Sequence, residues 1–169
     1  MSDMIQLLQA VEAIAKLPVQ KRAITNHAAL NEAYAYAKPS SFSRGMRIDL
    51  NGLIILLISG TASIDEHGQS IHIGDFRAQL RRTFGNITAL LEAEGATWHD
   101  IVRTTCYLRD IERDYEAFNE ERTAFYLSQG LDPLPASTGI QAILCRPELL
   151  VEIEAIAIFR CIDTADTTS

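Results

Sequence analysis

The stretch that decides the fold spans residues 134–159 and reads LPASTGIQAILCRPELLVEIEAIAIF. It predicts two β-strands, Ala136–Leu144 and Leu149–Phe159, joined by a short turn through Arg146 and Pro147. Other parts of the chain must pair with these strands or pack against them, because two strands alone are barely stable in water.

The second of these strands alternates between two kinds of residue. One face is apolar at every other position from Val151 to Phe159, and the other begins with Glu152 and Glu154 and ends in two isoleucines. Because apolar residues flank the acids, Glu152 or Glu154 is expected in a partly enclosed place, where a carboxyl with a shifted pKa can take part in chemistry. The alternative is a pair of solvated carboxylates at the end of a strand.

Length, composition and charge fit one folded domain and exclude some classes of partner. The chain has 169 residues, of which 47% are hydrophobic and 22% charged. Its net charge of −7 opposes a nucleic-acid partner, which needs a cationic surface. The longest apolar block, Leu53–Ile58, is too short to span a membrane, so no membrane partner is expected either.

Cysteine usage and the N-terminus predict a cytoplasmic protein. Cys106, Cys145 and Cys161 are odd in number and lack the spacing of a zinc site, so reduced thiols are expected. The N-terminus shows no export pattern. The 4 histidines have no metal spacing, so no metal site is predicted.

The chain divides into an arm, a domain and a tail. Residues 3–16 predict a short amphipathic helix, and weak periodicity follows, so residues 1–38 are assigned to an N-terminal helical arm. The domain is expected to cover residues 39–161. The polar residues 162–169 are expected to be disordered.

Periodicity and turn residues predict the elements of the domain. Gly85 lies inside the first long helix, where glycine costs stability, and therefore predicts close packing at that point. A run of small residues, Ser59–Ser63, follows the second strand and lets backbone approach a ligand closely. Asp75 is the predicted N-cap of the first long helix, and Gly95 is its predicted C-terminal stop. The other predicted elements are strands over 42–50 and 53–58 around an Asn51-Gly52 turn, a strand over 101–108 and a helix over 111–128.

These elements predict an α+β fold, with one mixed sheet and two helices packed on one face. A helix separates strands 53–58 and 101–108, so they are expected to be parallel neighbours. The helices leave the other sheet face bare, and a bare apolar face indicates oligomerisation. That face is expected to carry Ile140, Ala142, Ile156 and Ile158, or the residues opposite to them.

Four segments carry a resemblance to a known family. They are ISGTASID, DFRAQLRRTFGNITALLEAEGATWHDIVRTTCYLRDI, LPAST and VEIEAIAIFR, and they run in order through almost the whole domain. The chain resembles the Rid family (YjgF/YER057c/UK114), small proteins that hydrolyse reactive enamines and imines. The resemblance implies a chorismate-mutase-like (YjgF-like) fold, no cofactor, and a homotrimer in which the bare sheet faces form a central barrel.

The resemblance also implies a site in the cleft between subunits. Glu152, Asn119, Gly60 and Phe42 match the family's site positions. In the enamine deaminases of the family, an arginine in a PAR segment holds the substrate carboxylate, whereas this chain has PAS with Ser137 at that place. A serine cannot form a bidentate clamp on a carboxylate.

The segments PSSFSRG, SGTASI and PASTGIQ are also similar to the C-terminal half of chorismatases, which hydrolyse the enol ether of chorismate. In that family a glutamate protonates the vinyl group, and a cysteine often lies seven residues earlier. Cys145 and Glu152 have this spacing. Chorismatases are longer and have a second domain. Arg44 or Arg146 is a candidate for the missing cation.

The sequence therefore predicts a Rid-like hydrolase of a small molecule that bears a carboxylate, of the 2-iminobutanoate/2-iminopropanoate deaminase or the chorismatase type. Glu152 is the predicted proton donor or water-directing group. The alternative is a trimer that binds or regulates without catalysis, and ribonuclease activity fits the acidic chain poorly. The predicted substrate-binding residues are Ser137, Thr138, Gly60, Asn119, Phe42, Arg44 and Cys145.

Overall fold

The protein is described by a computed structural model that covers residues 4–6, 19–36 and 38–160. Residues 4–6 are helical. The remainder of the helix predicted over 3–16 and the tail predicted over 162–169 lie outside the described residues.

The described chain is an α+β domain in which a six-stranded mixed sheet carries two long helices on one face. This confirms the predicted fold class. Helix α1 packs on β3 and β6, α2 packs on β4, and the two helices contact each other. The strands are β1 (Gln20–Ala23), β2 (Gly45–Leu50), β3 (Leu53–Ala62), β4 (Ile101–Leu108), β5 (Ala136–Gln141) and β6 (Val151–Arg160), and the helices are α1 (Phe76–Glu92) and α2 (Ile111–Ser128).

Local chemistry explains where the helices begin. Asp75 accepts a hydrogen bond from the backbone N–H of Ala78 at 3.0 Å, and Asp110 accepts one from Arg113 at 3.1 Å. Both are N-caps, and each supplies an acceptor for a backbone N–H that has no partner within the helix.

The order of the strands differs from the prediction. The sheet runs β1-β2-β3-β6-β4-β5, so β6 separates β3 from β4 and is antiparallel to both. The expectation that strands 53–58 and 101–108 are neighbours was wrong. Strands β3 and β6 take the two central places, and alternate residues of β6 from Val151 to Ala157 are buried beneath the helices.

The two strands of the opening stretch do not pair with each other. Strand β5 pairs in parallel with β4, and the segment after it crosses the end of β4 to enter β6. Arg109, just after β4, holds this crossing by donating to the carbonyl oxygens of Leu149 at 2.6 Å and Arg146 at 2.7 Å. Leu144 and Leu149 are buried there, so the crossing is part of the core and not a tight hairpin turn.

Part of the predicted helical arm joins the sheet. Strand β1 pairs antiparallel with β2 at the sheet edge. Arg22 of β1 donates two hydrogen bonds, 2.7 and 2.6 Å long, to the carboxylate of Glu94, and Arg47 donates a third at 3.3 Å. Glu94 lies just after α1 and is buried, so these charge-assisted bonds fasten the edge strand to the end of the helix.

The sheet face away from the helices is apolar over β2, over β3 as far as Leu57, and over the second half of β6. The register places Ile48 opposite Ile55, and Ile55 opposite Ile158, on this face. Leu57 and Ile158 are 41% and 39% exposed, which is unusual for such residues in the middle of a sheet. We call the apolar part of this surface the open face; its residues are Met46, Ile48, Ile55, Leu57, Ile156 and Ile158.

The predicted members of the bare face are distributed as follows. Ile156 and Ile158 belong to the open face, and Ile140 of β5 is on the same side of the sheet, opposite Tyr107. Ala142 lies beyond the end of β5.

In the part of the chain that the structure covers, no helix has the length and apolar character needed to cross a membrane.

Gly85 does not mediate close packing, contrary to the prediction. A Cβ atom built on it meets no atom within 4 Å, and the residue is exposed on α1. Glycine at this position therefore contributes only its cost in backbone conformational entropy on folding. We expect Gly85→Ala to raise the free energy of unfolding by about 0.5–1 kcal/mol. Urea denaturation of both proteins measures this difference, and a destabilised variant would reveal a contact at this position.

Candidate active site

A cavity of about 800 Å³ lies where the end of β3 meets the start of β6. Loops before β2, after β3 and before β6 complete its wall. Acidic, basic and aromatic side chains all reach it, which is typical of a site for a small polar molecule. Its lining includes Tyr36, Lys38, Ser40, Phe42, Arg44, Ser59, Gly60, His67, Cys145, Arg146, Glu152 and Glu154.

Gly60 makes room for the carboxylate of Glu152. A Cβ atom at position 60 would lie 2.0 Å from Oε1 and 2.9 Å from Cδ of Glu152. The pairing of β3 with β6 is interrupted between Ile58 and Thr61, so Gly60 lies in an irregular part of the strand. Any side chain at position 60 would displace the carboxylate. The run of small residues, predicted to let backbone approach a ligand, therefore makes room at Gly60 for the carboxylate of Glu152.

Burial changes the acidity of Glu152. Burial raises the pKa of its carboxyl, and repulsion from the nearby carboxylate of Glu154 raises it further. Among the described residues, no group donates a hydrogen bond to the Glu152 carboxylate. A half-buried acid with a raised pKa keeps its proton to a higher pH than a solvated glutamate does, and it can give that proton to a bound molecule.

The raised pKa of Glu152 makes stability depend on pH. The folded protein binds this proton more tightly than the unfolded chain, so ionisation of Glu152 destabilises the fold as the pH rises through the raised pKa. Glutamine does not ionise. We therefore expect Glu152→Gln to raise the Tm at pH 8 and to raise it less at pH 4. Scanning calorimetry at the two pH values would contradict this if the gain were equal or larger at pH 4.

Two guanidinium groups that line the cavity lie close to one aromatic ring. The Cζ atom of Arg44 is 5.1 Å from the ring centre of Tyr36, and that of Arg146 is 5.0 Å from it. Arg44 also donates to the Asn31 carbonyl oxygen at 2.8 Å and to the Tyr36 hydroxyl. It lies 5.7 Å from the ring centre of Phe42. Arg44 is buried, so these contacts fix the wall of the cavity.

Arg146 connects the loop after β3 to the segment before β6. Its Nη1 donates to the carbonyl oxygen of Gly68 at 2.8 Å and to the Ser70 hydroxyl at 3.2 Å. A Cβ atom at Gly68 would lie 2.5 Å from the Tyr36 ring, so the ring packs directly on that backbone. Arg146 therefore has a structural role as well as a place in the cavity.

The structure brings together one group of the predicted site residues. Cys145 is exposed and lines the cavity, whereas Cys106 is buried, and burial raises the pKa of its thiol. The predicted site residues that line this cavity together are Phe42, Arg44, Gly60, Cys145 and Glu152.

A second group of predicted residues lies elsewhere, at the free edge of β5. Ser137 accepts hydrogen bonds from Arg122 at 3.1 Å and from Thr104 at 3.0 Å. Arg122 also donates to the Asn119 side-chain oxygen at 2.6 Å. We call Thr104, Asn119, Arg122 and Ser137 the β5 cluster. Thr138 points to the other side of the strand and accepts from Arg103 at 3.1 Å.

The sequence analysis did not single out Arg122, Tyr36 or His67. Tyr36 and His67 lie in irregular segments, where no periodic pattern marks a residue. Arg122 follows Asn119 by three residues on α2, a spacing that puts both side chains on one helix face. This spacing was the signal that could have found it.

Comparison with known proteins defines the class. The sequence pattern of the Endoribonuclease L-PSP family matches residues 35–159. A RutC family protein of Pyrococcus horikoshii is 33% identical over 102 residues, which is 60% of this chain and 77% of that protein. The 3-aminoacrylate deaminase RutC of Acinetobacter baylyi is 30% identical over 103 residues, 61% of this chain and 78% of that protein.

Solved structures agree with this assignment. The YjgF gene product of E. coli superposes with a TM-score of 0.65 at 28% identity, covering 82% of this chain and 99% of that chain. The Rid family protein YyfA of Yersinia pestis gives 0.64 at 26% identity, covering 82% and 98%. The fold is that of the YjgF-like proteins. The chain belongs to the Endoribonuclease L-PSP family, and the Rid/YjgF resemblance is confirmed; the similarity to chorismatases rests on the quoted motifs alone.

Proposed function

We propose that the protein hydrolyses a small enamine or imine that bears a carboxylate. The observation that supports this most strongly is the carboxyl of Glu152, which lies against Gly60 in the cavity with a raised pKa and has no described hydrogen-bond donor. The relative from Acinetobacter baylyi named as a 3-aminoacrylate deaminase supports the same class of reaction.

The chemistry assigned to Glu152 proceeds in two stages. Protonated Glu152 donates its proton to the β-carbon of the enamine, and the C=C electron pair forms the new C–H bond and leaves an iminium. The carboxylate then takes a proton from water as the water oxygen bonds to the iminium carbon. Proton transfer to nitrogen and cleavage of the C–N bond release ammonia and a 2-oxo acid. An imine substrate enters at the second stage.

We also propose that the site lies between subunits of a homotrimer. Ser137 pairs with Thr104, whose side chain is buried beneath the helices, whereas Glu152 lies opposite Tyr107 on the other side of the sheet. Within one chain these groups cannot meet at one substrate. A second copy docked through the open face can bring them together, and it would also remove the apolar face from water.

Enol-ether hydrolysis of the chorismatase type is the second candidate. Its first step is also the protonation of a vinyl carbon, so Glu152 would have the same role as proton donor. Cys145 and Glu152 both line the cavity, as this reading requires. The cavity of about 800 Å³ also exceeds what a substrate of a few heavy atoms fills.

Two other functions are weaker. A trimer that binds without catalysis fits the serine at position 137, but it gives no use to a carboxyl with a raised pKa. Endoribonuclease activity, which the family's description names, requires attraction of a polyanion to a chain with a net charge of −7.

A substrate panel tests the proposal. The wild-type protein is incubated with 2-aminoacrylate and 2-iminobutyrate, each generated in place, and separately with chorismate. Release of ammonia and 2-oxo acid above the uncatalysed rate supports the deaminase, and release of pyruvate from chorismate supports the second candidate. Binding of any of the three compounds without turnover would favour the alternative, a trimer that binds a ligand without catalysis. Light scattering should give three times the 18.7 kDa chain mass.

A further inference from the structure

We infer that Arg122 is the cation that binds the substrate carboxylate, and that it reaches the Glu152 cavity from a second copy of the chain. This inference rests on the proposed function, because it names the group that recognises the substrate of that site. It replaces the earlier candidates, Arg44 and Arg146, with a residue on α2.

Three contacts orient the Arg122 guanidinium. Nη2 donates to the Asn119 side-chain oxygen at 2.6 Å, and Nη1 donates to the Ser137 hydroxyl at 3.1 Å. The group also lies over the Phe118 ring, with Cζ 4.6 Å from the ring centre. A planar guanidinium held in this way presents its remaining N–H groups in a fixed direction, as a carboxylate clamp requires.

Arg122 is oriented without being neutralised. Its described hydrogen-bond partners are an amide and a hydroxyl, and no carboxylate lies within 4.0 Å of it among the described residues. Other helical arginines differ: Arg81 pairs with Glu121 at 2.5 Å, and Arg113 with Asp114 at 2.6 Å. In a chain with 22 acidic residues, an ordered arginine with no described acid beside it keeps its charge available for an external anion.

The arginines inside the cavity are less suited to this task. Arg44 donates to the Asn31 carbonyl oxygen and the Tyr36 hydroxyl, and it is buried between two rings. Arg146 donates to Gly68 and Ser70. Arg44 therefore uses Nε and Nη2 to hold the wall of the cavity, and Arg146 uses Nη1 to join the loop after β3 to the segment before β6.

The position of the β5 cluster makes a second copy necessary. Ser137 and Arg122 lie on the helix side of β5, at the free edge of the sheet, and neither lines the cavity. All six residues of β5 are exposed, which leaves this edge accessible to another chain. A ligand whose carboxylate is bound by Arg122 of one copy can then place its reactive carbon next to Glu152 of the other copy.

The first test measures binding and does not depend on turnover. Calorimetric titration with 2-oxobutanoate, a stable analogue of the imine, compares wild type with Arg122→Gln, Arg122→Lys and Arg122→Gln/Ser137→Arg. Loss of a charge-assisted pair should weaken binding by about 10- to 100-fold in Arg122→Gln. The lysine variant should retain part of the affinity, and an arginine at position 137 should restore it. Arg113→Gln, on the same helix, should bind as wild type does.

The outcomes separate this inference from the proposed function. Loss of binding in Arg122→Gln, in a protein that turns over none of the substrates, would support the inference and reject hydrolysis. A wild-type protein that binds no 2-oxobutanoate, or an Arg122→Gln variant that binds it equally well, would overturn the inference.

Co-assembly tests the shared site. Chains carrying Glu152→Gln are co-expressed with chains carrying Arg122→Gln, and mixed trimers are assayed. If each site takes its glutamate and its arginine from different chains, every mixed trimer has one intact site of three, so activity returns to about one third of the wild-type level. If both residues act within one chain, every site lacks one of them and no activity returns, which would contradict the second-copy part of the inference.

Discussion

Glu152→Gln is expected to reduce kcat about 10²- to 10⁴-fold, the range that general acid–base groups supply. Glutamine keeps the size and shape of the side chain but can neither give nor take the proton. Substrate binding should change little, because the Glu152 carboxylate is not the group that holds the substrate. The variant should also fold, since removal of an ionisable group with a raised pKa favours the folded state.

The measurement is the rate of 2-oxo acid formation at saturating substrate, with Glu154→Gln as the matched control. Glu154 lies two residues further along β6, on the same side of the sheet, and also lines the cavity. Its removal should leave most of the turnover. It should shift the acid-dependent limb of the pH profile to lower pH, because Glu154 contributes to the raised pKa of Glu152. Unchanged turnover in Glu152→Gln would dispose of the assigned role.

Gly60→Ala is the second change with a large expected effect. The added methyl group would lie 2.0 Å from Oε1 of Glu152, so the carboxylate must move by more than an ångström. Displacement of a catalytic group by this distance costs about 10²-fold in kcat. The backbone at position 60 does not have a positive φ, so alanine imposes no backbone strain, and the fold should persist.

A double-mutant cycle distinguishes displacement of Glu152 from general damage. If Gly60→Ala acts only by moving the carboxylate, the variant Gly60→Ala/Glu152→Gln should be no slower than Glu152→Gln alone. Gly85→Ala is the control for the glycine-to-alanine change, because its methyl group meets no atom within 4 Å. Full activity in Gly60→Ala, or additive losses in the double variant, would show that Gly60 does not act through Glu152.

Elements with strong local signals could be predicted from the sequence. Strand β4 and helix α2 have the predicted bounds, Ile101–Leu108 and Ile111–Ser128, and α1 begins after its predicted cap, Asp75. Caps, helical periodicity and strand alternation act over a few residues, so a single sequence contains them. The one-sided cover of the sheet followed from the apolar stripes of the two helices.

The order of the strands could not be read in the same way. Which strand lies beside β3 depends on pairing between residues far apart in the chain, and no periodic pattern records it. The crossing from β5 to β6 is likewise fixed by Arg109 and buried leucines, which are tertiary contacts. A four-residue strand such as β1 is too short to give a pattern.

The candidate site was predictable in part. Alternation in β6 indicated Glu152 or Glu154, and the small-residue run indicated a place where backbone approaches another group closely. The family resemblance then selected Glu152 and Gly60. Alternation does not say which face of the sheet a residue takes, so the separation of Ser137 from Glu152 could not be foreseen. The wall formed by Tyr36 and Arg146 joins loops distant in sequence, and only the folded chain brings them together.

The most direct measurement is a crystal structure of the protein with 2-oxobutanoate bound. We expect a trimer in which C3 of the ligand, the atom that corresponds to the protonated β-carbon of the enamine, lies about 3–3.5 Å from a carboxylate oxygen of Glu152, the distance of groups poised to react. The ligand carboxylate should contact Arg122 of the neighbouring chain. A ligand bound away from Glu152, or a Glu152 side chain that points into bulk water in a monomer, would contradict the account.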